Sequence, residues 1–378
     1  MKATFEVADV LNKCWDQYKS VCKNTWQIRT LNAIRRCRTA SMGGHVDACS
    51  SCGNITISYN SCRNRHCPKC QGNKRQQWIE ARESELLPVK YFHVVFTLPE
   101  IINKIAIYEP RIIYDTLFEA AWKTIEIFSK DEKYLGAKSG MISILHTWGQ
   151  NLMLHPHLHC IVPGGGVDAQ GKWLATKKSN GKWLFPVKAM SKIFRAKYVS
   201  ILRNKIKLEQ SYYNDMFKSE WVVFAKRPFG SPKSVIEYLG RYTHKIAISN
   251  HRIISINDES VTFTLKDYKN NGIRKTMTIS HLEFVRRFVL HILPKKFVRI
   301  RHFGFLSSTW KREKLKNLQN ILKVTPVPKK ENTLPPICPC CKEGVMVTIV
   351  VFGSRGPPEH FLSLAQESKL TIADGQII

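Results

Sequence analysis

Hydrophobic positions recur along this chain in two different periods, and the change of period marks its elements. In the first 36 residues Leu11, Trp15, Tyr18 and Cys22 fall at helical spacing, so this stretch reads as helix. A cysteine-rich segment interrupts the pattern, and "QGNKRQQWIEARESELLP" then reads as a basic helix that stops before Pro88. Beyond it "KYFHVVFTLP" is a β-branched and aromatic strand, and "PRIIYDTLFEAAWKTIEIFSKD" an amphipathic helix. "HTWGQNLMLHPHLHCIVPGGG", residues 146 to 166, reads as two short strands joined by a tight turn. Residues 164 to 187 form a glycine- and lysine-rich loop with short strands. "VKAMSKIFRAKYVSILRNKIKLEQ" returns to helix, "EWVVFAKRP" to strand and "SPKSVIEYLGRYTHK" to helix. Three short β segments, "HRIISIND", "SVTFTLKD" and "IRKTMTIS", precede a basic helix near 281 to 293, and "KVTPVPKKENTLPP" is the clearest linker. The order of elements is that of an α+β chain with no internal repeat.

Charge narrows the class of partner. Lysine and arginine outnumber the acids 59 to 29, a net charge of +30 with a pI near 9.8, which points to a polyanion. Nucleic acid is the first candidate and an anionic membrane surface the second. The N-terminus lacks the apolar core of a signal peptide, and no apolar run reaches bilayer length, so a soluble, cytoplasmic protein is expected. At 378 residues the chain is long enough for two or three domains.

Of twelve cysteines, eight lie in the first 70 residues, three sit at 338 to 341, and Cys160 is alone. Cys49-x2-Cys52 and Cys67-x2-Cys70 have the spacing of two zinc knuckles closing one tetrahedral thiolate site, with "GNITISYNS" between them as the hairpin of a zinc ribbon. Such a structural zinc supplies folding energy to a segment with little apolar core. Cys37, His45, Cys62 and His66 remain as four further ligands, enough for a second zinc; the two histidines could equally hydrogen-bond in a basic surface. Cys14 and Cys22 read as helix core and Cys160 as a small buried strand residue. Cys338-x2-Cys341 is half a knuckle with no second pair after it, suited to metal, to exposed thiols or to a partner's ligands.

Residues two apart on a strand share a face, so His157 and His159 present two imidazoles to one ion while Leu158 faces the core. His146, Trp148 and Gln150 share a face of the preceding strand. The turn brings Gln150 closest to the pair as third ligand, with His146 and His155 as rivals. In the later helix Tyr238 and Tyr242, four apart, place both phenols on one face, beside Arg241, His244 and Lys245. Tyrosines at this spacing commonly pack a core, but a basic helix end suits phosphate. A phenolate can attack a phosphodiester to give a phosphotyrosine bond and a free 3′-hydroxyl. A free phenol ionises only near about pH 10, so its attack needs help, which a divalent cation on the histidines supplies.

The stretches "GGHVDACSSCG…YNSCRNRHCPKCQ", "FHVVFTLP", "LHTWGQNLMLHPHLHCIVPGGG", "YLGRYTHKIAISN" and "FVRRFVLHILPKKFVRIRHFGFLS" together resemble the two-tyrosine, rolling-circle insertion-sequence transposases of the histidine-hydrophobic-histidine (HUH) superfamily. The likeness spans roughly residues 35 to 310. It implies an antiparallel, RRM-like nuclease sheet flanked by helices, with an N-terminal zinc-ribbon-like domain. It implies a transposase that nicks and transfers single-stranded DNA at transposon ends, with Tyr238 and Tyr242 as nucleophiles and magnesium or manganese on His157 and His159. Four regions are expected on this basis: 1–88 helical and zinc-binding, 89–280 catalytic, 281–325 a basic helical DNA-binding extension, and 326–378 linker and cysteine-containing tail.

Between Arg286 and Lys330 thirteen lysines and arginines stand against one acid, Glu313, and aromatics interleave them, offering base stacking beside phosphate contacts. The expected DNA contacts are Lys295, Lys296, Arg299 and Arg301 here, Arg63, Arg65, Lys74 and Arg75 near the knuckles, and Arg241 and Lys245 after the tyrosines. Two other readings use the same residues: a rolling-circle replication nickase, and a zinc-dependent DNA-binding regulator without catalysis.

Overall fold

The computed structural model describes residues 3–70, 78–177, 184–229, 234–235, 238, 240, 245–267, 270–324 and 335–365. The strands in chain order are β1 (Gly44–Cys49), β2 (Ile55–Tyr59), β3 (Tyr91–Thr97), β4 (Gly140–Trp148), β5 (Leu154–Pro163), β6 (Gly165–Val167) and β7 (Trp173–Ala175). They continue as β8 (Val222–Ala225), β9 (Ile253–Ile256), β10 (Ser260–Asp267), β11 (Ile273–Ser280), β12 (Ile300–Gly304) and β13 (Met346–Phe352). The fold is mixed α+β, and its strand pairs are antiparallel.

A five-stranded sheet in the order β12-β4-β5-β3-β8 forms the centre. Alternation divides its side chains between two faces. Phe92, Val94 and Phe96 of β3 and Leu158, Cys160 and Val162 of β5 point into one core, closed by the helices Pro110–Lys130 and Val187–Lys205. Cys160 is fully buried there, as its apolar surroundings suggested. The opposite face carries Tyr91, Ile144 and Ile161, packed against Val235 and Phe229, and it carries the histidines.

A second core joins the N-terminus to the middle of the chain. The expected N-terminal helix is three short ones, Val7–Lys13, Trp15–Val21 and Thr25–Arg35, the last capped by Asn24, whose side chain accepts from the Trp26 and Gln27 N–H groups. These pack with the β9-β10-β11 sheet and the helix His281–Val289. Cys14 is buried in this core.

Two of the sequence expectations are corrected by the sheets. The stretch expected as a basic helical extension carries the helices His281–Val289 and Ser308–Ile321 but also supplies β12, an edge strand of the central sheet. The segment expected as a tail supplies β13, which pairs with β1 in the sheet β13-β1-β2. Strand pairing between segments more than a hundred residues apart leaves no local periodicity to reveal it. No described helix is long and apolar enough to cross a membrane.

Candidate active site

Three imidazoles converge where β4 and β5 meet. His157 and His159 flank the fully buried Leu158, and the strand register sets His146 opposite His157. Their ligating nitrogens all lie within 4.8 Å of one another, a spacing that suits one shared ion. Among the described residues no carboxylate joins this group. His157 donates its Nδ1–H to the His155 carbonyl at 2.6 Å, which leaves Nε2 with the lone pair a metal takes. Burial pushes His157 down to about 4 and His159 further, with neighbouring imidazoles and Lys245 adding to the effect, so the rings are held in the neutral form that binds metal.

Gln150, expected as the third ligand, is turned elsewhere. A register shift between His146 and Trp148 ends the alternation on which that expectation rested. Gln150 lies beyond the strand, where its Oε1 accepts from the Lys266 N–H at 3.4 Å and its carbonyl accepts from Arg252. His146 takes the third place, while His155 is exposed and contributes its backbone carbonyl.

His93 of β3 was not singled out by the sequence, and it links the imidazoles to Tyr238. Its Nε2 lies 2.9 Å from His159 Nδ1, and the two rings stack with centroids 5.1 Å apart. The ring of Tyr238 meets His93 edge-on at 5.2 Å. Lys226 donates to the Tyr238 oxygen at 3.3 Å, and Phe229 packs on the ring at 5.1 Å. The signal for His93 was available: in "FHVVFT" it alternates with apolar residues onto the face shared by His157 and His159. Tyr242, Arg241, Lys74 and Arg75 lie outside the described residues.

The cysteines form two four-sulfur groups, and neither is the expected one. Cys37, Cys62, Cys67 and Cys70 make the first; Cys49, Cys52, Cys338 and Cys341 make the second. Geometry forbids the grouping of Cys49 and Cys52 with Cys67 and Cys70. β1 ends at Cys49 and the turn through Cys52 leads into β2, whose five residues at about 3.3 Å each carry the chain away before Cys62. The stretch expected as a hairpin is therefore a single strand paired with β1. Cys37 and Cys62 take the places that spacing assigned to the other knuckle, with their sulfurs 3.5 and 3.6 Å from that of Cys70. Hydrogen bonding from Cys62 and Cys67 holds the Cys37 thiol down at about 7, toward the thiolate that zinc prefers. His45 and His66 join neither group: His45 faces Asp47 at 3.3 Å, and His66 is buried.

The basic residues separate by environment. Lys295, Lys296 and Arg63 are exposed, as is Lys245. Arg65 instead donates to the Pro294 and Phe297 carbonyls, and burial pushes its pKa down. Arg301 pairs with Asp115 and stacks over Phe118 at 4.2 Å. Arg299 donates to the Lys245 carbonyl at 3.2 Å and is pushed down to about 10 by burial and by Arg65. These three arginines tie segments of the chain together, a role that a count of charges does not reveal.

An antiparallel sheet bearing a His-Leu-His ligand set, a third histidine and an adjacent tyrosine, joined to a four-cysteine unit, defines the class: a transposase with a HUH-like histidine triad and a zinc-binding domain. Residues 140–314 match the family described as "Putative transposase", and residues 10–98 match "Transposase zinc-binding domain". The chain is 42% identical to "Putative transposase y4qJ" of Sinorhizobium fredii, over 93% of this chain and 97% of that protein. It is 27% identical to "Transposase for insertion sequence element IS801" of Pseudomonas savastanoi pv. phaseolicola, over 84% of this chain and 80% of that one. No solved structure matches. The chain belongs to the IS91-type two-tyrosine transposases that carry a zinc-binding domain.

Proposed function

We propose that this protein nicks single-stranded DNA at the ends of an insertion element and transfers the strands by a rolling-circle route through a 5′-phosphotyrosine intermediate. The observation that carries this reading is the contact chain Tyr238–His93–His159 on one face of the sheet. The Tyr238 oxygen attacks the phosphorus of a backbone phosphodiester, the P–O3′ bond breaks, the phenol proton passes to water, and the 3′-oxygen takes up a proton to leave as a hydroxyl. The Lys226 ammonium beside the phenol oxygen offsets the charge that develops there. His146, His157 and His159 would hold magnesium or manganese, which polarises the scissile phosphate when bound. Tyr242 serves as the second nucleophile, opening one strand while Tyr238 holds the other.

The same sheet face offers a path for the strand. Phe224 of β8 lies opposite Val95, and Val95 lies opposite His159, so the three form one cross-strand row. Two strand spacings, about 10 Å, separate Phe224 from the imidazole, within reach of neighbouring nucleotides. Phe224 is 51% exposed, and an exposed aromatic on a sheet face is suited to stacking a base. Lys295 and Lys296 supply exposed charge for phosphates. The activity belongs with the bacterial nucleoid.

A gel assay for a denaturation-resistant adduct with an oligonucleotide carrying an element end tests this. Wild type forms the adduct, Tyr238→Phe and Tyr242→Phe each cripple transposition, and the double variant forms no adduct. His157→Ala combined with His159→Ala abolishes nicking while DNA binding is largely kept. An adduct surviving in the double tyrosine variant overturns the assignment of nucleophiles, and no adduct with wild type leaves a zinc-dependent DNA-binding protein.

A further inference from the structure

We propose that Cys49 and Cys52, together with Cys338 and Cys341, form a second, separate zinc site that clasps the C-terminal segment onto the N-terminal unit and makes β13 a metal-dependent strand. The second pair lies outside both matched family regions, which end at residues 98 and 314.

The two halves of this site are built alike. In one the Gly53 N–H donates to the Cys49 carbonyl at 3.2 Å; in the other the Lys342 N–H donates to the Cys338 carbonyl at 3.1 Å. Both closing residues are left-handed, Gly53 at φ +68° and Lys342 at φ +61°. Lysine in that conformation is strained, so the second turn is held there by its surroundings. Each half also aims backbone N–H groups at sulfur: Ser51 and Cys52 at Cys49, Cys340 at Cys338, and Gly344 at Cys341, all at 3.4–3.5 Å. Across the halves, sulfur meets sulfur at 3.7 Å for Cys49 and Cys341 and 3.8 Å for Cys52 and Cys338. Sulfurs 3.7 and 3.8 Å apart stand well beyond the roughly 2.05 Å of a disulfide bond, a separation that suits ligands around one ion. Gly344 closes the packing, because a Cβ there would stand 2.5 Å from the Cys49 sulfur.

A strand needs something to hold it, and apolar burial supplies little here. The buried cluster at this end consists of Cys49, Cys338 and Met346, with Cys340 and Cys341 alongside. Along β13, Val347, Ile349 and Val351 are 49%, 48% and 78% exposed, and at its far end Phe352 is buried against Tyr59, well away from the sulfurs. The sulfurs occupy the position a core would take, and four thiolates in such knuckles select a tetrahedral soft cation, zinc above all. Bound metal would close a loop between residues 292 apart and bring the two ends of the chain together.

The test uses the full-length protein and does not depend on nicking activity. Elemental analysis of wild type gives two zinc ions per chain, and C338S/C341S gives one, retained by Cys37, Cys62, Cys67 and Cys70. Hydrogen exchange in the double variant shows lost protection at Met346–Phe352, with the Pro110–Lys130 helix unchanged. Should the variant fail to fold, cobalt substitution of wild type reads the same count through the four-thiolate visible bands, two cobalt ions per chain. One metal per wild-type chain, two zinc ions in the variant, iron in place of zinc, or β13 protection that ignores metal removal would each overturn the proposal.

Discussion

His93 acts through another residue. Its ring neither joins the histidine triad nor attacks phosphate, but it holds His159 by a 2.9 Å hydrogen bond and touches Tyr238. Partners that orient a ligating histidine are worth about 10- to 100-fold in metal affinity. His93→Phe keeps the ring bulk and removes the nitrogen, so manganese affinity measured by calorimetry falls by about that factor. His93→Gln, whose amide can still bond the imidazole, recovers part of it. Unchanged affinity in the phenylalanine variant would show that His159 needs no orienting partner.

At the scale of the element, β5 shows how one strand serves core and site at once. Leu158, Cys160 and Val162 anchor it below while His157 and His159 stand above, so the ligands inherit the rigidity of the core. β8 makes the complementary arrangement at the sheet edge: Val223 and Ala225 pack below, and Phe224 is presented above. Base stacking on an aromatic contributes about 1–3 kcal/mol, so Phe224→Ala weakens single-strand binding by about 5- to 150-fold. Fluorescence anisotropy with a labelled oligonucleotide reads this. Nicking at saturating DNA should be little changed, and an equal affinity would remove β8 from the path of the strand.

At the scale of the whole molecule, buried imidazoles tie stability to pH. Burial pushes His93, His291 and His302 each down to about 4, with nearby cations adding to the shift for His93 and His302. An unfolded histidine takes its proton near about 6.5, so below that pH the unfolded chain binds protons that the folded chain refuses until near 4. Their contribution is fully present above about 6.5 and is lost as pH falls from there toward 4. Thermal melts should show a midpoint that drops between pH 7 and 5, as stability falls by on the order of 1–3 kcal/mol per group. A flat midpoint across that interval would contradict the burial of these rings.

The sequence alone determined what local backbone geometry enforces. Alternation put His157 and His159 on one face with Leu158 beneath, two-residue gaps marked each knuckle, and charge identified a polyanionic partner; none of these needs a distant segment. Which knuckle pairs with which, His146 in place of Gln150, the contact of Tyr238 with His93, and the inward turn of Arg65 and Arg301 were decided by tertiary structure. The reason is physical. Residues two or four apart are related by the pitch of a strand or helix, whereas Cys52 and Cys338 meet because sheet pairing folds the chain back on itself, and a single bulge after His146 is enough to redirect a ligand.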